Sequence, residues 1–422
     1  MSRNKTLKTL RGPLLVITMA TLVWGPRADA AGNYKTLQVF TGGADGSTLP
    51  SGLTLDATGN LYGTTSSGGG SSTCPAGCGV VFRLTPNIDG RWTETVLYDF
   101  CSLNGCADGV FPFADLVFDQ TGSLYGTTSS GGASDLGTLF KLTPNRDGSW
   151  RESVLYSFSG RDGSTPYSAL IFDSSGNLYG TTVQGGVYQR GTVFKLTPHS
   201  RGAWTEDVLY NFTGGDSGGD PYAGLIFDGK GNLYGTTQGG GADAVGVVFK
   251  LTPSRGVWTI SVLHSFTGGA DGGYPGRGTL IMDTAGNLYG TTSVGGVYED
   301  GTVFKLAQES TGKWKETVVH SFNGRRGAFP VGGVVFDSKG NLNGTTSIGG
   351  RLPDCGGGGC GVVFKLAPNS NGVWKEIVLH YFVDDPGIFP YAGVIFDAAG
   401  NLYGTTNGGG DTHHGSVFEI TP

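Results

Sequence analysis

Aspartates are the most regularly spaced residues in the sequence that could bind a metal or act as general acids and bases. Seven of them each lie three positions before a glycine: Asp56, Asp119, Asp173, Asp228, Asp283, Asp337 and Asp397. A ring of seven carboxylates could form a metal site. Asp-x-x-Gly is also a turn, in which Asp accepts backbone N–H bonds and Gly takes a positive φ. We favour the turn, and predict no metal and no cofactor.

A second group of aspartates precedes these turns in the chain, often beside glycine, and could bind calcium. It comprises Asp45, Asp108, Asp162, Asp216, Asp220, Asp271 and Asp385. Calcium requires six to eight oxygen ligands, and a dedicated loop supplies several carboxylates. Most of these loops supply only one carboxylate, and Asp-Gly is common turn chemistry. The sequence therefore predicts no tight calcium site.

Histidine, the usual general base and metal ligand, occurs only six times. His264, His320 and His380 share one repeat position with tyrosines elsewhere in the chain, which favours a packing role. The sequence contains no Gly-x-Ser-x-Gly elbow, zincin motif, P-loop or dinucleotide-binding fingerprint. It therefore predicts a protein without catalytic activity.

The six cysteines form three close pairs: Cys74 and Cys78, Cys101 and Cys106, and Cys355 and Cys360. A zinc site would require Cys-x2-Cys spacing and four convergent ligands. Disulfides in an oxidising compartment are the better interpretation. Six cysteines allow fifteen connectivities, of which local pairing is the simplest and would shape the loops.

The elements that carry these residues repeat seven times. Leu-Tyr-Gly-Thr-Thr, or Leu-Asn-Gly-Thr-Thr in one copy, begins at Leu61, Leu124, Leu178, Leu233, Leu288, Leu342 and Leu402. Around each copy lie four short segments rich in β-branched and aromatic residues, bounded by Gly, Pro, Asn or Asp, which are strand and turn signals. Glycine accounts for 78 of 422 residues, a content that disfavours long helices. The pattern predicts an all-β fold.

Seven units of four strands favour a seven-bladed β-propeller spanning residues 31–422, with inner strands beginning near 50, 113, 167, 222, 277, 331 and 391. The last unit stops after its third segment. Residues 34–40 match the fourth segment and precede the first unit. We expect residues 34–40 to join the last blade and close the ring, which would cover an otherwise open sheet edge.

The units resemble the Gloeobacter/Verrucomicrobia-type tandem repeat, nicknamed GloVer, of secreted bacterial proteins. The shared pattern includes Tyr222–Asp228 (YAGLIFD), Gly231–Thr237 (GNLYGTT) and Gly246–Pro253 (GVVFKLTP). The family is defined by its repeat and not by its chemistry, so the resemblance implies no activity. Members often carry a C-terminal sorting segment, and its absence from this sequence favours release. More distantly, the inner two segments are similar to NHL-type propeller repeats, which implies that the AGLIFD segment is innermost.

Departures from the repeat mark candidate ligand-binding residues, because packing alone would favour the common residue. Six positions before each repeat aspartate, at the start of each predicted inner strand, lie Pro50, Phe113, Tyr167, Tyr222, Arg277, Val331 and Tyr391. Two positions later, Asp115 replaces the small or neutral residue of the other units. We expect the aromatic rings to stack on a ligand, with Asp115 and Arg277 facing each other across the channel mouth.

Residues 1–30 have the form of a secretory signal peptide, with a basic start, a short apolar run and Ala28-Asp29-Ala30 as cleavage site. Their removal would take the net charge from −6 to −10, because they contain five basic residues and one acidic residue. The sequence thus predicts a secreted or periplasmic protein, without a stable membrane anchor and monomeric. An acidic chain is also a poor candidate for binding nucleic acid.

We therefore predict a non-catalytic propeller that binds a glycan or an extracellular protein on the face built by the loops leading into the inner strands. One alternative is an extracellular polysaccharide hydrolase or lyase with Asp115 as acid or base. Glycoside hydrolysis usually needs two carboxylates, and only one stands out in this set. The other alternative is a purely structural matrix protein.

Overall fold

The computed structural model describes residues 32–351, 354–383, 387–409 and 413–421. The predicted signal peptide and Asp385 lie outside these ranges. The described chain forms seven antiparallel sheets of at least four strands each, and its only helical segments are the short 3-10 turns Asn104–Cys106, Ser200–Gly202 and Cys355–Gly357. The predicted all-β, seven-bladed propeller with four-stranded blades is confirmed.

The strands fall into four equivalent sets, each ordered from blade 1 to blade 7. The innermost strands are Thr54–Leu55, Val117–Phe118, Ile171–Phe172, Ile226–Phe227, Ile281–Met282, Val335–Phe336 and Ile395–Phe396. The second strands are Leu61–Thr65, Leu124–Ser130, Leu178–Thr182, Leu233–Thr237, Leu288–Val294, Leu342–Thr346 and Leu402–Thr406. The third strands are Val80–Pro86, Thr138–Pro144, Thr192–Pro198, Val247–Ser254, Thr302–Gln308, Val362–Pro368 and Ser416–Thr421.

The outermost strands of blades 1 to 6 are Trp92–Asp99, Trp150–Ser157, Trp204–Asn211, Val257–Ser265, Trp314–Ser321 and Trp374–Tyr381. In blade 7 this place is taken by Asn33–Val39, which pairs antiparallel with Ser416–Thr421. Blades 2 and 5 carry one additional short strand each, Val110–Pro112 and Gly273–Pro275.

The repeated glycine in the middle of each second strand makes room for a phenylalanine of the third strand. A Cβ on Gly180 would lie 2.7 Å from the ring of Phe194, which no side chain tolerates. Phe194 is fully buried, and it meets Phe158 at the end of the preceding blade's outer strand with ring centroids 5.3 Å apart. The same pair of rings recurs between successive blades, so each blade is fastened to the next by an edge-to-face aromatic contact.

The repeat aspartates form the turns between first and second strands. In blade 4, Asp228 Oδ1 accepts the backbone N–H groups of Lys230 and Asn232 at 2.8 and 2.9 Å. Its Oδ2 accepts the amide of Asn232 at 2.7 Å and the hydroxyl of Tyr234 at 3.1 Å. Gly231 takes a φ of 81°. These bonds are those that the turn interpretation predicts.

Three local disulfides link Cys74 to Cys78, Cys101 to Cys106 and Cys355 to Cys360. The first two bridges lie side by side, with the sulfurs of Cys78, Cys101 and Cys106 within 4.8 Å of one another. Such bridges are typical of proteins in an oxidising extracellular compartment. In the described part of the chain, we find no helix long and apolar enough to cross a membrane.

Candidate functional site

The loops that lead into the inner strands, which we call the leading loops, share an uncommon backbone conformation. One non-glycine residue in each has a φ between 51° and 60°: Thr48, Phe111, Thr165, Asp220, Tyr274, Phe329 and Phe389. In blade 4 the backbone N–H of Asp220 donates to the carbonyl of Arg190 in the blade before, at 3.0 Å. Left-handed backbone at non-glycine residues is costly and clusters at binding surfaces.

The leading loops surround a narrow pocket at the mouth of the channel. Its volume is about 60 Å3, enough for a few waters and too little to enclose a sugar. The candidate residues that line it are Phe113, Asp115, Tyr167, Arg277 and Tyr391. These residues, which the sequence places on four different blades, therefore do surround one opening.

Arg277 is the centre of a cluster of rings on this face. Its guanidinium carbon lies 5.4 Å from the ring centroid of Tyr222 and 5.9 Å from that of Tyr167. The rings of Tyr167 and Tyr222 are 5.6 Å apart, and those of Phe113 and Tyr167 are 4.6 Å apart. A cation placed over two tyrosine faces is held by the ring quadrupoles while remaining exposed.

Asp115 interacts with the blade before it. Its Oδ1 accepts the backbone N–H of Gly52 at 2.6 Å, and a Cβ at position 52 would lie 3.2 Å from both carboxylate oxygens. The side chain remains open to the channel. Protein atoms around it desolvate the carboxylate and raise its pKa, an effect that the Gly52 N–H partly opposes.

Asp115 and Arg277 line the same pocket, but no salt bridge joins them among the described residues. Each has a partner of its own: the backbone of Gly52 for Asp115, and the tyrosine rings for Arg277. Both therefore keep hydrogen-bonding capacity directed at the opening.

Tyr222 lies outside the central pocket and lines a second cavity on the same face, of about 490 Å3. Sequence reasoning did not find the polar wall of this cavity, which includes Gln184, Arg190, Asp220 and Gln238. Arg190 Nη1 lies 3.4 Å from Asp220 Oδ2 and ties the third blade to the leading loop of the fourth. The sequence does show both glutamines close to the Thr-Thr segments, since Gln238 directly follows Thr237 and Gln184 lies two positions after Thr182.

Two of the loop aspartates considered for calcium, Asp108 and Asp162, accept hydrogen bonds within their loops. Asp108 Oδ2 accepts from the hydroxyl of Tyr98 at 2.8 Å and from the backbone of Ser102 at 2.9 Å. Asp162 Oδ2 accepts from the hydroxyl of Tyr156 at 2.6 Å. These bonds fit the turn interpretation.

The fold defines a class: a seven-bladed propeller made of one tandem repeat. The sequence matches the profile of the Gloeobacter/Verrucomicrobia repeat over residues 26–172 and 148–355. The chain belongs to this repeat family. No curated protein matches it.

Several solved structures resemble the chain at low identity. A proposed 6-phosphogluconolactonase from Bacteroides uniformis is 13% identical, with a TM-score of 0.47 over 78% of this chain and 87% of its own. A proposed glucose dehydrogenase from Thermus thermophilus is 17% identical, with a TM-score of 0.43 over 75% and 94%. A protein from Lactobacillus plantarum is 15% identical, with a TM-score of 0.47 over 77% and 84%.

Proposed function

We propose that this protein is a secreted, non-catalytic propeller that binds a glycan across the face built by its leading loops. The observation that carries the proposal is the cluster of Tyr167, Tyr222 and Arg277, which lies between the narrow central pocket and the polar cavity. Tyrosine faces offer flat apolar surface to sugar rings, and nearby amides, carboxylates and guanidinium groups offer hydrogen bonds to hydroxyls.

The sizes of the two cavities determine how such a ligand would lie. The central pocket is too small for a sugar ring, whereas the cavity beside Tyr222 is within the range of small-molecule sites. In our proposal, one sugar occupies the cavity between Gln184 and Gln238 and stacks on Tyr222. A substituent of the neighbouring sugar then reaches Asp115 and Arg277 at the channel mouth.

A glycan array with the purified protein tests this proposal, followed by calorimetry on any oligosaccharide that binds. Tyr222→Ala should weaken that binding at least about tenfold, because it removes the stacking surface. Lys35→Ala, on the outer strand of blade 7 and outside both cavities, is the control. Products released from the bound oligosaccharide would contradict the non-catalytic part of the proposal, and an array without any bound glycan would contradict the whole.

A further inference from the structure

The junction between blades 6 and 7 differs from all the others described. At the other six junctions a second-strand tyrosine packs against the next blade, and its hydroxyl donates to a repeat aspartate at 3.0 to 3.2 Å. Four of these tyrosines meet an inner-strand phenylalanine at 5.1 or 5.2 Å. Five meet the tryptophan that opens the outer strand at 6.1 to 6.4 Å.

Both ring-bearing residues are missing at this junction. Asn343 stands where the tyrosine would be, and it is buried. The tryptophan lies eight positions before the phenylalanine that directly follows each outer strand, as Trp92 does before Phe100. The same count from Phe40 leads to Gly32. Among the described residues, Phe396 of blade 7 consequently has no aromatic partner.

The space that these rings would fill is a cavity of about 590 Å3. Its apolar wall includes Ile377, Leu379, Phe396 and Ile420. This volume is within the range typical of small-molecule sites. We call it the blade 6–7 cavity, and it lies beside the Asp-x-x-Gly turns, away from the leading loops.

The polar groups that hold the tyrosine elsewhere are still present. Lys365 Nζ contacts Asp337 Oδ2 at 2.9 Å. At the equivalent place in blade 2, Asp119 Oδ2 accepts both from Lys141 at 3.3 Å and from the hydroxyl of Tyr125 at 3.0 Å. Asp337 Oδ2 also accepts the amide of Asn341 at 2.7 Å, a bond that blade 2 lacks because Ser123 replaces the asparagine. In blade 4 the asparagine amide and the tyrosine hydroxyl share Asp228 Oδ2, and Lys250 lies over the ring instead. A hydroxyl can therefore bind Asp337 in the same way when Lys365 moves from the carboxylate to the ring face.

The lysine also indicates what kind of ring fits. At four other blades the equivalent lysine lies 4.9 to 5.9 Å above the tyrosine ring, in cation–π geometry. Lys365 keeps its place at the blade 6–7 cavity, with no ring below it among the described residues. The cavity therefore offers three contacts to an aromatic molecule. The Lys365 cation can contact the face of the ring, Phe396 can contact its edge, and the Asp337 carboxylate can accept from a hydroxyl or N–H.

From this we infer that the blade 6–7 cavity binds a free small aromatic molecule of the phenol or indole class. The ring lies between Phe396 and Lys365, and its O–H or N–H donates to Asp337. We choose these two classes because the phenol ring of tyrosine and the indole ring of tryptophan fill the same space at the other junctions. This site is separate from the glycan face and does not depend on it.

Titration calorimetry of the purified protein with 4-methylphenol and with indole tests the inference, with cyclohexanol as the non-aromatic probe. We expect saturable binding of the two aromatic probes, and at least about tenfold weaker binding of cyclohexanol. Asn343→Tyr places the missing ring in the cavity and should abolish binding while raising the melting temperature.

Asn343→Ala is the matched control, because it leaves the cavity open and should retain binding within about threefold. Lys365→Gln is a second variant that leaves the volume open and should weaken binding of the aromatic probes without unfolding the protein. The inference fails if neither probe saturates the protein, or if Asn343→Tyr is folded and binds them as the natural protein does.

Discussion

At the level of single residues, burial raises the pKa of four glutamates on the outer strands. Burial first, and then a leading-loop aspartate nearby, raises the pKa of Glu94, Glu152 and Glu316 to about 7 and that of Glu206 to about 8. Blade 4 has an isoleucine, Ile260, at the equivalent position, and there the loop aspartate is replaced by Ser217. In blade 4, the outer-strand glutamate and the loop aspartate are thus both replaced by uncharged residues.

This arrangement predicts that Glu206 destabilises the protein as the pH rises. A carboxyl whose folded pKa is above its unfolded value favours folding when protonated, so its contribution is lost between about pH 4.5 and about pH 8. Glu206→Gln resembles the protonated form at every pH. We therefore expect it to raise the melting temperature clearly at pH 8 and hardly at pH 5, measured by calorimetry.

Asp243→Asn is the control for this comparison, since it removes a charge from an exposed loop residue of the next blade. It should change the melting temperature little at either pH. Equal effects of Glu206→Gln at both pH values would show that the carboxyl of Glu206 does not titrate differently in the folded protein.

A second prediction at this level concerns Asp115. Asp115→Ala should weaken glycan binding by at least about 1 kcal/mol, the scale that marks an important interface residue. Stability should hold, because water in the open channel can replace the carboxylate as acceptor for the Gly52 N–H. Denaturant unfolding and calorimetry on the same variant measure both quantities. Lost stability with intact binding would make Asp115 a structural residue.

The sequence predicted the ring of residues at the channel mouth, because internal repetition shows which residues depart from a shared pattern. It did not separate Tyr222 from the central pocket. The cavity that Tyr222 lines depends on where Arg190 and Asp220 of neighbouring blades meet, and that contact joins residues 30 positions apart. Sequence spacing alone does not show such contacts between blades.

At the level of elements, the Asp-x-x-Gly turns should contribute strongly to stability. Asp228 accepts four hydrogen bonds from its own turn and from Tyr234. Asp228→Ala should therefore lower the free energy of unfolding by about 2–4 kcal/mol, as several bonds to a charged acceptor are lost together. Urea unfolding provides the measurement, and Lys230→Ala in the same turn is the control. Similar losses in the two variants would contradict this role.

The inner strands are shorter than the sequence predicted. The inner strand of blade 4 is predicted to begin near 222, whereas pairing within the blade is limited to Ile226–Phe227. Near the channel, the backbone before the inner strand forms hydrogen bonds with the neighbouring blade instead. The backbone N–H of Arg277 donates to the carbonyl of Val331 at 2.7 Å, and a Cβ on Gly278 would overlap the backbone of Gly333. β-propensity measures strand character but not which neighbour the strand pairs with.

At the level of the whole molecule, blades 7 and 1 are in direct contact. The hydroxyl of Thr405 donates to the carbonyl of Ser51 at 2.8 Å, and the rings of Phe40 and Phe82 lie 5.0 Å apart. The buried residues Leu37, Phe40 and Leu49 belong to one cluster with Leu61, Phe82 and Val417.

Deletion of residues 34–40 should therefore lower the melting temperature markedly or make the protein insoluble. It removes buried side chains from this cluster and leaves the strand Ser416–Thr421 with an unpaired edge, which favours aggregation. Differential scanning fluorimetry and size-exclusion chromatography measure the two effects. Lys35→Ala, which keeps the strand, should behave as the natural protein does. An unchanged thermal transition after the deletion would show that this strand does not hold the ring together.

The number of blades followed from the number of repeats, because each repeat supplies one sheet with its own strand and turn signals. The blade 6–7 cavity, by contrast, could not be predicted from the repeats. The exchange of tyrosine for Asn343 is visible in the sequence, but Gly32 is far from it along the chain. Only the pairing of Asn33–Val39 with Ser416–Thr421 brings the two substitutions to the same place.

That pairing also places the two ends of the described chain side by side, with Asn33 opposite Thr421. The order of the blades around the ring is thus independent of where the chain starts. A peptide link between the two ends would turn the pairing that spans the greatest sequence distance into an ordinary hairpin. New ends could then be opened at an exposed turn such as residues 87–90, giving a circularly permuted protein with the same contacts and a more local folding path.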